Sequence, residues 1–116
     1  VSGRSTPATQ VAAPAGVVFT LHEYVHDPAA ESYALEAATA LAIDPERVLK
    51  TLIVTVGDGL TACILPAGAT LDLRALGTHA APAPTQRAER VTGYVAGGIS
   101  PLGRRRALPT LVDEAA

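Results

Sequence analysis

The chain has 116 residues, 48% apolar and 17% charged, a globular balance with room for one domain and one core rather than a disordered, fibrous or multidomain chain. A formal net charge of −2 gives no field for tight, non-specific nucleic-acid binding, so DNA is not an expected partner and any RNA contact has to be local. The single cysteine, Cys63, excludes an intrachain disulfide and fits a reducing compartment.

The first ten residues, VSGRSTPATQ, lack an apolar signal core, and no stretch approaches the roughly 18 apolar residues of a membrane span. A cytoplasmic protein with no membrane partner is the expectation. Residues 1–5 are set aside as a disordered or extraneous N-terminus, and residues 6–116 are read as one domain.

Thr6-Pro7 is a cap followed by proline at the first helical position, so a short helix is predicted over 7–13. The segment VVFTLHEY alternates, with Val17, Phe19 and Leu21 on one side and Val18, Thr20 and His22 on the other, which predicts a strand ending near Tyr24. Asp27-Pro28 repeats the cap-and-proline signal, and Leu35, Ala38, Leu41 and Ala42 follow at helical spacing, predicting a helix over 28–42. Asp44-Pro45 opens one more short turn. LKTLIVTV at 49–56 and LTACIL at 60–65 are β-branched, apolar and joined through Gly57-Asp58-Gly59, the clearest hairpin in the chain. A brief helix is predicted at 72–76 closed by Gly77, a loop at 79–84, a helix at 85–92 ending at Gly93, and a last strand at 108–114. Strands interspersed with helices predict a mixed α+β fold with a sheet packed against helices.

Three histidines and one cysteine raise the question of metal. His22 and His26 have no HExxH or paired-cysteine context, so no metal site is expected. Cys63 lies in the packed-strand pattern TACIL, where a buried thiol is a poor nucleophile. Lys50-Thr51 lacks the preceding glycine loop of a phosphate-binding P-loop, and Gly98 to Gly103 has the wrong spacing for a G-x-S-x-G elbow. Ser100 has no identified base, and Pro101 removes a backbone donor that an oxyanion hole would use.

Lys50 opens an otherwise apolar strand, so its charge must either snorkel outward or meet an anionic partner. Tyr24 alone is an ordinary boundary residue. Arg104, Arg105 and Arg106, with Arg87 and Arg90 upstream, are either a solvated loop or a local RNA contact. The glycine-rich run GYVAGGISPLG at Gly93 to Gly103 costs backbone entropy on folding. It is either a bulged strand and turn or a pocket wall exposing backbone groups to a ligand.

Taken together these residues resemble the YbaK/EbsC family, which comprises free-standing trans-editing proteins and the related editing domain inserted in some bacterial prolyl-tRNA synthetases. The match runs in order through LHEYVHDP at Leu21 to Pro28, DPERV at Asp44 to Val48, KTLIV at Lys50 to Val54, TLDL at Thr70 to Leu73, RVTGYVAGGISPLG at Arg90 to Gly103, and LPTLVDE at Leu108 to Glu114. The resemblance implies a mixed sheet or partial barrel flanked by helices, no metal or other cofactor, and a small pocket for the aminoacyl 3′ end of a mischarged tRNA. It implies that Lys50 is the central functional residue and that Tyr24, Thr51, Gly97, Gly98, Ile99 and Ser100 surround the pocket.

The implied reaction is cleavage of the ester of Cys-tRNA(Pro), the substrate's own thiol attacking the carbonyl so that the protein needs no nucleophile. Lys50→Ala is then expected to abolish deacylation with the fold intact. An Ala-tRNA(Pro) deacylase is the nearest variant. A non-catalytic module that binds tRNA or a synthetase is the rival from another class, and a small-molecule-binding domain sharing only the fold is a third reading. Prolyl-tRNA synthetase is the implied companion, and Arg104 to Arg106 are the local tRNA contact that the charge pattern offers. The resemblance also implies that the usual C-terminal strand and helix of family members are absent from this chain.

Overall fold

The computed structural model describes residues 6–25, 27, 29, 32–94, 98–103 and 107–116. Its centre is the predicted hairpin. Strand β1 (Leu49–Val56) and strand β2 (Gly59–Pro66) pair antiparallel along their whole length, from Leu49 opposite Pro66 to Val56 opposite Gly59. The connection is the two residues Gly57-Asp58. Only the first has positive φ, at +59°, the pattern of a type II′ turn, whose twist matches that of the strands it joins.

Two short strands complete the sheet. β3 (Ala81–Pro82) pairs antiparallel with Thr55 and Val54 of β1, and β4 (Thr110–Val112) runs parallel to β2 beside Ala62 to Ile64. The order β3-β1-β2-β4 is an open mixed sheet, so the expected mixed fold forms without barrel closure. The stretch predicted as a loop at 79–84 thus contains two paired residues, and the strand predicted over 108–114 is paired for three.

Successive residues of the hairpin face opposite sides, as the pleat requires. Ile53, Leu60 and Ala62 pack with Ala88 and Val91 of helix α4 (Thr85–Thr92) in one buried cluster. Val54, Cys63 and Leu65, of the opposite register, are also buried. Cys63 is the packed strand residue the sequence suggests, and burial pushes its thiol above the ordinary value.

Helix α1 (Pro7–Ala12) forms as predicted, with Thr6 and Thr9 in a reciprocal capping box. Helix α3 (Leu73–Leu76) is capped by Asp72 and closed by Gly77. Between the hairpin and the preceding helix, Pro45–Arg47 is a 3₁₀ turn capped by Asp44.

Helix α2 departs from expectation. It spans Tyr33–Ala40, with the Ser32 side chain accepting from the Leu35 N–H. Asp27 does not cap it: its carboxylate accepts from the Ala29 N–H, closing a local Asx turn. Of the predicted stripe Leu35, Ala38, Leu41 and Ala42, only Ala38 is buried. The helix reads YALEAATA, apolar on most sides, so periodicity could not select its inner face.

Its C-terminus is a Schellman closure, in which the Ile43 N–H reaches the Ala38 carbonyl and the Ala42 N–H the Thr39 carbonyl. Ala42 holds the left-handed position, at φ 53°.

The strand predicted to end near Tyr24 is the clearest correction. Residues 17–25 carry no strand, and Val18 is 98% exposed. Alternation makes a segment compatible with a sheet, but its backbone N–H and C=O groups need a ladder partner. No described strand pairs with this segment.

Candidate functional site

Beside the first half of β1 the structure holds a cavity of about 730 Å³. Val48 to Ile53 form its floor. Tyr33, Ala34 and Ala37 of α2 line one side, with Ser32 and Tyr24, while Ala83, Thr85 and Ala88 line the other, with Gly98 and Ile99. The sheet, two helix faces and the glycine-rich loop therefore meet at one place.

Lys50 lies at this floor, half-buried. Its ammonium donates to the Ala69 carbonyl at 2.6 Å and the Ala67 carbonyl at 3.1 Å, both in the chain just after β2. Neither reading of Lys50 from composition was complete. The charge does not snorkel freely into water and, among the described residues, meets no carboxylate; it is held by two carbonyl dipoles. An ammonium has three N–H donors, so among the described residues one is left uncommitted.

The glycine-rich segment is built from the end of α4. Thr92 is fully buried: its hydroxyl donates to the Ala88 carbonyl at 2.7 Å and accepts from the Tyr94 N–H at 3.2 Å. Gly93 follows at φ 78°, the left-handed position that turns the chain out of the helix. The Tyr94 hydroxyl then donates to the Leu102 carbonyl at 2.6 Å, tying both ends of the loop together. Gly103, at φ +70°, lies so close to Pro7 that a Cβ there would overlap the Pro7 carbonyl. The loop is thus anchored at α4, across its own neck and on α1, and presents Gly98 and Ile99 to the cavity.

Tyr24 sits half-buried on the cavity wall. Burial first, and then the Glu36 carboxylate and Tyr33, hold its phenol above the ordinary value, so it stays neutral and offers an O–H. Glu36 is placed by accepting from the Asp27 N–H.

Of the residues singled out in the sequence, Lys50, Tyr24, Thr51, Gly98 and Ile99 line one cavity. Ser100 does not: its hydroxyl oxygen accepts from the Leu102 N–H at 3.1 Å and shapes the loop instead. Gly97, Arg104, Arg105 and Arg106 lie outside the described residues, as does His26. Arg87 is half-buried and Arg90 exposed on α4.

Sequence reasoning missed the contributions of α2 and of Ala83, Thr85 and Ala88. Small residues at Ala34 and Ala37 were a usable signal, since they open space beside a strand, but nothing local marked that face as inward. The described lining offers hydroxyls at Ser32, Thr51, Thr85, Tyr24 and Tyr33. It contains no histidine, cysteine or carboxylate that would activate one of them.

An open mixed sheet with a cavity at one strand edge, a tethered lysine and a backbone-rich glycine wall defines a small α/β domain with a candidate ligand pocket. Residues 27–116 match the model of the aminoacyl-tRNA editing domain, and the chain belongs to that family. It is 34% identical over 90 residues to EbsC of Enterococcus faecalis, named as a candidate Cys-tRNA(Pro)/Cys-tRNA(Cys) deacylase. That match covers 72% of this chain and 54% of the relative, so the chain spans about half the relative's length.

A crystal structure described as a candidate trans-editing enzyme for prolyl-tRNA synthetase is 29% identical with a TM-score of 0.64, covering 78% of this chain and 60% of that one. The hypothetical protein APE2540 superposes with a TM-score of 0.73 at 21% identity, over 93% of this chain and 73% of its own, a likeness of fold alone. The YbaK/EbsC resemblance carried by LHEYVHDP, KTLIV and GYVAGGISPLG is borne out by these matches. Among the described residues no helix is long and apolar enough to cross a membrane.

Proposed function

We propose that this domain deacylates mischarged tRNA, cleaving the ester between a wrong amino acid and the terminal ribose, with Cys-tRNA(Pro) as its substrate. The observation that carries this reading is the Lys50 ammonium, held at the cavity floor by the Ala67 and Ala69 carbonyls beside a lining that, among the described residues, holds no activated nucleophile. Such a site can place and stabilise charge but does not itself attack an ester. The attacking group then comes from the substrate.

In this mechanism the cysteinyl thiol gives up its proton and the sulfur bonds to the carbonyl carbon. The tetrahedral oxyanion collapses, the bond to the ribose oxygen breaks, and that oxygen takes a proton, freeing the tRNA. The cysteinyl group leaves as a four-membered thiolactone, which water opens to cysteine. Lys50 offers its remaining N–H to the ester or to a neighbouring phosphate, and the glycine-rich wall, Gly97 included, supplies backbone donors. Tyr24, Thr51 and Ile99 hold the aminoacyl end, while Ser100 acts by shaping the loop. Arg104, Arg105 and Arg106 contact the tRNA, and prolyl-tRNA synthetase is the companion that makes the error.

Thiol chemistry also supplies selectivity. A pocket that senses one methylene gains only about 1–3 kcal/mol, too little to separate Cys, Ser and Ala by shape. The test is to incubate the protein with Cys-tRNA(Pro), Ala-tRNA(Pro) and Pro-tRNA(Pro) and follow the loss of each ester. Loss of the cysteinyl ester alone is expected. Equal cleavage of the alanyl ester would end the thiol mechanism, and tRNA binding without any cleavage would leave a non-catalytic module.

A further inference from the structure

The pairing of β1 is unequal on its two edges. β2 covers one edge at all eight positions, whereas β3 covers the other only at Val54 and Thr55, extended by the Ala83 N–H donating to the Ile53 carbonyl at 2.9 Å. β3 itself stops at Pro82, and after Ala83 the chain turns away into α4, with Pro84 as the N-cap, so the ladder is not continued toward Thr51. Among the described residues, none pairs with the edge of β1 before Ile53, where the cavity lies.

Which groups face that opening follows from strand geometry. In an antiparallel ladder the N–H and C=O of one residue point to the same side, and the side alternates along the strand. Ile53 points its carbonyl toward β3, and Val48 points its carbonyl the other way, to the Ala67 N–H at 2.7 Å. Thr51, two residues before Ile53, therefore directs both its N–H and its C=O at the cavity. Among the described residues none pairs with it there.

We infer that the open edge of β1 at Thr51 is the subsite for the α-amino acid moiety of the substrate, bound as if it were one residue of an added strand. An aminoacyl ester carries an α-ammonium donor and a carbonyl acceptor on either side of one Cα, the complement of a strand residue. The Thr51 N–H donates to the ester carbonyl and the Thr51 C=O accepts from the α-ammonium, the reciprocal pair of an antiparallel ladder.

Three consequences follow. Recognition of the backbone moiety is independent of its side chain. The amino-acid side chain falls on the same face as Thr51, toward Ala88 and Ile99. The Thr51 N–H also becomes a fixed donor to the oxyanion that forms on the carbonyl oxygen.

This inference rests on the deacylase reading, and its test separates the two. The probe is 3′-deoxy-3′-(L-cysteinylamino)adenosine, in which an amide replaces the scissile ester, added to the ¹⁵N-labelled full chain. At saturation, hydrogen exchange of the Thr51 amide is expected to slow by about tenfold or more, while the Leu65 amide, already paired within the hairpin, stays unchanged. The deaminated 3-mercaptopropanoyl analogue is expected to bind about tenfold or more weakly, having lost a charged hydrogen bond.

The inference is overturned, with the deacylase reading intact, if the probe shifts Gly98 and Ile99 but leaves Thr51 exchange unaltered. It is overturned equally if the deaminated analogue binds as tightly. Absence of any binding overturns it too. Failure of the parent reading is seen separately, as survival of all three aminoacyl esters in the presence of the unmodified protein.

Discussion

Replacing Lys50 by methionine keeps the length and apolar stem of the side chain and removes only the charge and its donors. The ammonium bridges β1 to the chain after β2 through Ala67, whose residue is 2% exposed, and Ala69, which is half-buried. A hydrogen bond from a charged donor is worth about 1.5–3 kcal/mol when buried. Lys50 is itself half-exposed and water can replace it at Ala69, so a total loss of about 1–3 kcal/mol is expected, most of it from the Ala67 carbonyl. Lys50→Ala is thus expected to weaken the fold as well as the chemistry, contrary to the expectation of an untouched fold.

Urea unfolding followed by circular dichroism reads this as a lower midpoint with unchanged m. Deacylation is expected to fall by about 10²–10³ in kcat, the loss typical of one preorganised charge-stabilising donor. Lys50→Arg retains the charge in a planar fork too bulky for the two carbonyls, and should recover part of the stability with little of the activity. A methionine variant as stable as the parent would show that the two carbonyl contacts contribute nothing. One that deacylates at the parental rate would refute the role given to the charge.

Gly103→Ala should lower stability by at least about 1–2 kcal/mol, because the left-handed φ of +70° is strained for alanine and its Cβ meets the Pro7 carbonyl; an unchanged melting temperature would show that the loop is not anchored there. Ala42→Gly should raise stability by about 0.5–1 kcal/mol, since the Schellman position at φ 53° suits glycine and the gain exceeds the added unfolded-state entropy. Thermal unfolding of both variants checks these signs. The thiol of Cys63, 3% exposed and titrating above its ordinary 9.0, should react with a thiol reagent only on unfolding. A raised thiol pKa means that its contribution to stability is full below about pH 9 and is lost as pH rises through the folded value. Alkaline destabilisation that is smaller in Cys63→Ala is the expected result.

Local chemistry made much of the fold readable. Thr6-Pro7, Asp72 with Gly77, and Gly93 after Thr92 mark helix ends by rules that need only a few neighbours. The hairpin is legible because both strands and their turn are contiguous. The segment 17–24 forms no strand because its alternation says nothing of a partner strand, and α2 starts at the Ser32 cap although Asp27 makes the same i+2 contact, to the Ala29 N–H, that a cap makes. Ser100 was placed in the pocket by resemblance, yet its hydroxyl accepts from Leu102 a short distance away in the chain.

The candidate site divides the same way. Lys50, Tyr24 and the glycine-rich run were visible as residue types and as a family pattern in the order of the chain, and that order alone sufficed to indicate an editing domain. Where the Lys50 charge is held, which face of α2 borders the cavity, and that β3 stops short of Thr51 depend on contacts between residues far apart in the chain. Sequence periodicity reports what each segment can do alone. Only packing decides which of those options is satisfied, because a hydrogen bond or a buried face needs a partner that the segment itself does not contain.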